Sequence, residues 1–418
     1  MKTKKQLLLC LIGACALGTS SHAQQLTPVW EYLINQPSTT IPILTNTLNY
    51  TTDLEEGVGT STMDSLGALT RYDENRLLLG IRENGIDETA AGANLTLAAQ
   101  YPDRSLIWIN PTNGAPMGIA LNIGLAPVAL DPDFVAAGGT PDQYWWAYTV
   151  GPDGAIYTGY KNKILRYAPN GSGGFNTSPV VVFTLTQDEI NARGIDPALW
   201  PTWRWSRLSV TGTGADTIIL AGSSSNARGN WLLTTTDGNT FIAGSFLGNG
   251  GAVSRPIKSQ DPNTPDDIWT YAGIFPGNSN GTDSSYARQI SSPPYTDNFF
   301  SDSTFHAPAD PFFYTEKYRN DFIGALDANQ DLNYIAVYST PSWNSRALGF
   351  SPRPGWLALV SNQGRFLSSH KLNITEDAEL LSEDQASLFQ GTIGFVTLNK
   401  LANGDVEVLW SGTIYGYG

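Results

Sequence analysis

The sequence predicts an all-β protein, a six-bladed β-propeller of four-stranded blades whose last blade is assembled from both ends of the chain. Three observations predict it. A unit of four short apolar strands recurs with a period of about 60 to 70 residues. No long segment carries apolar residues at helical spacing. The two ends of the chain each read as half of one unit.

The clearest copy defines the grammar. Ser206 to Val210 is a first strand, Gly212 to Ala215 a turn, and Thr217 to Gly222 a second strand. After a loop come Asn230 to Thr235, the turn Asp237-Gly238, and Thr240 to Phe246. We label these strands A to D from the axis outward. Other copies run Leu66 to Ile123, Trp145 to Leu185 and Asp321 to Leu372, and a weaker one starts at Ala252 with Asp267 to Gly273 as strand B. Asp-Gly and Asn-Gly pairs in the turns supply the positive φ that tight hairpins need. The C-terminal stretch, Thr392 to Lys400 and Val406 to Gly412, looks like strands A and B without a continuation. Val29 to Ile34 and Ile41 to Thr45 look like the missing C and D, and their pairing would close the ring. Trp30, Trp108, Trp231 and Trp356 fall near the start of strand C and are expected to pack between blades. Only Gln187 to Arg193 and Glu376 to Phe389 read as short helices.

The first residues bear on compartment. Lys2, Lys4 and Lys5 precede an apolar run, Leu7 to Leu17, too short to span a bilayer. Ser21-His22-Ala23 offers small residues where a signal peptidase cuts, so residues 1–23 read as a leader and 24–418 as one propeller domain, secreted to the periplasm or outside. A competing reading makes Ile12 to Cys15 a lipobox, with the chain anchored through a lipid on Cys15. No later segment has the ~20 apolar residues of a spanning helix. Both cysteines, Cys10 and Cys15, lie in the leader, which excludes thiol nucleophiles and cysteine metal sites from the mature chain. The formal charge of −14 becomes about −17 without the three leader lysines, which argues against nucleic acid and anionic membranes as partners.

Gly151-Pro-Asp-Gly-Ala-Ile-Tyr157 with Lys163-Ile-Leu-Arg-Tyr167 resembles the repeat of NHL and gluconolactonase-type propellers. The likeness covers one blade in detail and the others as a pattern. That family implies an axial divalent ion held by Glu, Asn and Asp, for which Glu83 and Asn226 are the loop-adjacent candidates here.

Strand order puts the B–C and D–A loops on one face, where the loops are long and a binding pocket is expected. Arg82, Glu83, Asn84 and Asp87 open one such loop and could ligate a metal or do acid–base work. Trp203, Arg204, Trp205 and Arg207 lead into the third copy and suit stacking on sugar rings or holding carboxylates. Asn226 and Arg228, and Trp343 and Arg346, stand in equivalent loops. Asp327, Asn329 and Asp331 alternate oxygen side chains as a calcium hairpin does, though Leu332 stands where a tight loop wants glycine. There is no nucleophile elbow, phosphate loop or dinucleotide fingerprint. His306 and His370 are the histidines left after the leader. Two functions therefore remain: a binding module for a glycan or protein partner, and a metal-dependent hydrolase or lactonase using one divalent cation, for instance calcium.

Overall fold

The computed structural model describes residue 29 and residues 66–81, 105–124, 126–140, 147–222, 229–248, 252–274, 285–306, 322–340, 356–371 and 389–416. The leader, the N-terminal strands beyond Val29, and the loops bearing Arg82 to Asp87, Asn226, Arg228, Trp343 and Arg346 lie outside them.

Each long copy of the repeat forms one antiparallel four-stranded sheet. The first holds β1 (Leu66–Asp73), β2 (Arg76–Ile81), β3 (Ser105–Ile109) and β4 (Pro116–Asn122). The second holds β5 (Tyr148–Val150), β6 (Ile156–Tyr160), β7 (Lys163–Tyr167) and β8 (Val180–Thr184). The third holds β9 (Arg207–Thr211), β10 (Ile218–Gly222), β11 (Asn230–Thr235) and β12 (Phe241–Leu247). The fourth holds β13 (Ile257–Lys258), β14 (Ile268–Ile274), β15 (Ser285–Ser291) and β16 (Phe300–His306). The fifth holds β17 (Phe322–Asn329), β18 (Tyr334–Thr340), β19 (Trp356–Ser361) and β20 (Phe366–Lys371). A two-stranded sheet of β21 (Phe389–Lys400) and β22 (Val406–Gly416) follows.

The molecule is thus a β-propeller with five four-stranded blades among the described residues, against the six expected. The β21–β22 hairpin packs between the fifth blade and the first. Phe389, expected to end a helix, opens β21 instead, and His306, left without an element by the sequence, ends β16.

The reason for the fold is visible in β10. Ile218, Ile219, Leu220 and Ala221 are all buried, with alternate side chains on opposite faces of the blade. Ile219 and Ala221 join an apolar cluster with Tyr157, Ile164 and Phe183 of the second blade. Ile218 and Leu220 join Ile268 and Ala272 of the fourth. A strand buried on both faces reads as an unbroken apolar run, and here the blades on either side supply its two apolar neighbours. Similar clusters lie between the first and second blades and between the fourth and fifth. Val396 and Leu398 of β21 pack on Ala325, Leu357 and Leu359 of the fifth blade. Leu409 of β22 packs on Leu69, Leu77 and Leu79 of the first. The hairpin therefore touches both of its neighbours.

Connections obey local rules. Gly154 and Gly238 sit at φ +74° in the turns of Asp153-Gly154 and Asp237-Gly238, a conformation open to glycine at little cost. Among the described residues two α-helices lie between blades: α1 (Pro132–Ala136), capped by Asp131, and α2 (Gln187–Ala192), as expected, with a capping box between Thr186 and Glu189. A 3-10 turn, Pro197–Thr202, then carries the chain into the third blade.

Candidate functional site

The inner strands converge on the ring axis. A cavity of about 110 Å³ is lined by residues of β1, β5, β9, the segment before β13, β17 and β21, one contribution from each place around the ring. Its charged lining residues are Arg207, Arg255 and Asp327. Hydroxyls come from Thr70, Thr149, Ser206, Ser209 and Thr397.

Asp327 and Arg255 form the best-defined contact there. Arg255 Nη2 donates to Asp327 Oδ2 at 2.6 Å, and Nε donates to Oδ1 at 3.1 Å. Nη2 also donates to the Leu398 carbonyl at 2.6 Å, while the Leu398 N–H donates to Asp327 Oδ2 at 2.7 Å. Burial works against the guanidinium charge, but the field and hydrogen bonds of Asp327 outweigh it and raise the Arg255 pKa. The pair joins the fourth blade, the fifth blade and β21. Only 7 % of the Asp327 side chain is exposed, against 27 % for Arg255, so the cavity meets the cation more than the anion.

This bears on the calcium hairpin. Both Asp327 carboxylate oxygens are engaged by Arg255 and the Leu398 amide. Asn329 Nδ2 donates to the Leu398 carbonyl at 3.2 Å, and its Oδ1 accepts from the Asp331 N–H at 2.9 Å. The three residues therefore share a strand end and turn, with Asp327 directed into an ion pair rather than toward Asp331. Among the described residues no group of three His, Cys, Asp or Glu is placed to hold a metal ion.

The aromatic entry to the third blade is core, not a ligand surface. Trp200, Trp203 and Trp205 are buried, as is Trp231. Trp203 meets Trp205 edge-on at 5.5 Å between centroids and Trp231 at 6.1 Å. Trp200 meets Phe134 of α1 edge-on at 5.2 Å. The indoles of Trp203 and Trp205, expected to stack on a ligand, instead fill the seam between the second and third blades. Seams of this kind need large rigid side chains with two apolar neighbours. Arg204 is partly buried beside them, and Arg207 lines the axial cavity. Of the strand-C tryptophans, Trp231 packs between blades as expected. Trp108 stands near the end of β3 and stacks with Phe175 at 5.9 Å and with the Arg76 guanidinium at 4.4 Å.

Sequence reasoning missed the axial hydroxyls. Thr70 pairs with Leu78, Thr149 with Tyr157 and Ser209 with Leu220. Ser254, which does not line the cavity, holds the same register and donates its amide to the Tyr271 carbonyl. In each case the partner stands two residues before a strand-B glycine, Gly80, Gly159, Gly222 or Gly273. A hydroxyl at one register of strand A in four copies is a signal the sequence did carry.

No family model matches this chain, and no curated protein matches it. Among solved structures, a TolB protein of Agrobacterium tumefaciens is similar at 10% identity and a TM-score of 0.36, over 84% of this chain and 90% of that one. The extracellular domain of a one-component system from B. thetaiotaomicron is similar at 11% identity and a TM-score of 0.34, over 86% of this chain. Bacteroides ovatus xyloglucan PUL GH43B is similar at 12% identity and a TM-score of 0.34, over 74% of this chain. This chain spans 32% of the second and 56% of the third. Likenesses at this level carry no argument about activity. Among the described residues no helix is long and apolar enough to cross a membrane.

Proposed function

We propose that the chain is a secreted binding module that grips a glycan or protein partner through its long-loop face, with the axial cavity at the centre of that face. One observation carries the reading. The cavity is lined from all sides by inner strands, and among apolar neighbours these strands and the segment before β13 present the hydroxyls of Thr70, Thr149 and Ser209 and the guanidinium of Arg255. Preorganised donors in a concave site suit recognition of acceptor-rich ligands such as sugars. Loops bearing Arg82, Glu83, Asn84, Asp87, Asn226, Arg228, Trp343 and Arg346 belong to the same face by strand order and would add the contacts that select a partner. The same reading has residues 29–34 and 41–45 complete the sixth blade beside β22.

A glycan array probed with the mature chain tests it, with Thr149→Val and Ser209→Ala variants alongside. Selective binding weakened by the variants supports the reading, and uniform silence across neutral and acidic glycans overturns its glycan form. The hydrolase alternative, with NHL or gluconolactonase-type chemistry at Glu83 and Asn226, is tested by metal content. One tightly held divalent ion in the purified protein would transfer the reading to it.

A further inference from the structure

We propose that the axial cavity binds a carboxylate group, held by the free Nη1 edge of Arg255 and by the hydroxyls of Thr70, Thr149 and Ser209. The proposal rests on the binding reading above and names the chemistry of that site.

Arg255 is oriented before any ligand arrives. Its Nε and Nη2 are spent on Asp327 and the Leu398 carbonyl. Among the described residues Nη1 makes no hydrogen bond, in a side chain that lines the cavity and is 27 % exposed. A guanidinium fixed along one edge offers its other N–H groups with little further loss of freedom. The hydroxyls of Thr70, Thr149 and Ser209 likewise make no side-chain hydrogen bond among the described residues. They come from the inner strands of three successive blades at one register, so they form a layer across the axis. One charged donor and several neutral ones match the lone pairs of a single carboxylate.

The Asp327 carboxylate on the opposite edge of Arg255 repels a second anion, and it repels a singly charged carboxylate less than a phosphate dianion. A cavity of about 110 Å³ has room for a carboxylate and several waters. A uronic acid would place its carboxylate against this guanidinium edge. A free small acid would enter entirely.

Calorimetric titration of the full mature chain with D-glucuronate, D-glucose and acetate decides it. Glucuronate is expected to bind at least about tenfold more tightly than glucose. Thr149→Val and Ser209→Ala should each weaken glucuronate by about fivefold while leaving the melting temperature unchanged. Acetate as tight as glucuronate identifies a free small acid as the ligand, and weaker acetate identifies a carboxylate pendant on a sugar. Glucose equal to glucuronate, no binding of either anion, or variants that bind as wild type would overturn the proposal. No binding of either anion leaves the loop-face reading to the glycan array, whereas variants that bind as wild type would also remove the cavity from that reading.

Discussion

Gly159 illustrates how closely the blades approach. A methyl group on its Cα would lie 2.6 Å from Cβ of Trp205 on the next blade. The Gly159 amide also donates to the Ala147 carbonyl at 2.7 Å, so the backbone has little freedom to withdraw. Gly159→Ala is expected to destabilise the fold by about 1–3 kcal/mol through overpacking, read as a lower urea midpoint at unchanged m-value. A second prediction concerns Asp302. Its carboxyl is held below the usual range by hydrogen bonds from Arg288, with Nε to Oδ1 at 2.8 Å. A lowered folded pKa stabilises above the unfolded value of about 3.9, and the gain is lost as pH falls through the folded value. The stability difference between wild type and Asp302→Asn should therefore be full at pH 5 and shrink on acidification below about pH 4. A difference that stays constant from pH 5 to pH 2 would refute the assignment.

Single elements show what the sequence made legible. Strands with both faces buried, such as β10 and β18, announce themselves as apolar runs, and Asp-Gly or Asn-Gly pairs mark the turns between them. These are local signals, and four of the four-stranded sheets follow them to within a few residues, while in the fourth blade β14 was legible and β15 and β16 were not. α2 was legible for the same reason, because Thr186 and Glu189 form a capping box in sequence as in structure. Thr186→Ala should cost about 1 kcal/mol, and Thr186→Ser should restore most of it in thermal unfolding. The site was less legible because its parts are unremarkable singly. Thr70, Thr149 and Ser209 become neighbours only when the ring places their strands around one axis. Trp203 and Trp205 misled in the opposite sense: indoles beside arginines fit sugar stacking or a seam equally well, and burial decides between them.

At the scale of the molecule, the terminal hairpin is fixed on both sides by arginine–carboxylate pairs. Arg255–Asp327 ties it to the fourth and fifth blades through Leu398. On the other side Arg71 of β1 pairs with Glu407 of β22, with Nε to Oε2 at 2.7 Å, and the two side chains are 14% and 16% exposed. Glu407→Gln leaves Arg71 half-satisfied and should destabilise by roughly 1.5–3 kcal/mol. The double variant Arg71→Met, Glu407→Leu should recover part of that loss, since a partly buried charge is then no longer unpaired. Removal of residues 24–45 tests the proposed sixth blade. A drop in stability, with self-association through the uncovered edge of β22, is the expected outcome in unfolding and light-scattering measurements. A truncated chain as stable and monomeric as the full one would rule that closure out.

The Arg71–Glu407 pair also sets a timetable. Its partners stand 336 residues apart in the chain, so this contact cannot form until residue 407 has been synthesised, long after the first blade. The five four-stranded blades can each assemble from neighbouring sequence as the chain emerges, while Leu69, Leu77 and Leu79 wait for Leu409. During that interval an apolar blade face stands open to other nascent chains, and the slow long-range step is the one most exposed to aggregation. Yield in the cell would then depend less on how firmly the finished ring holds than on how quickly its last hairpin docks.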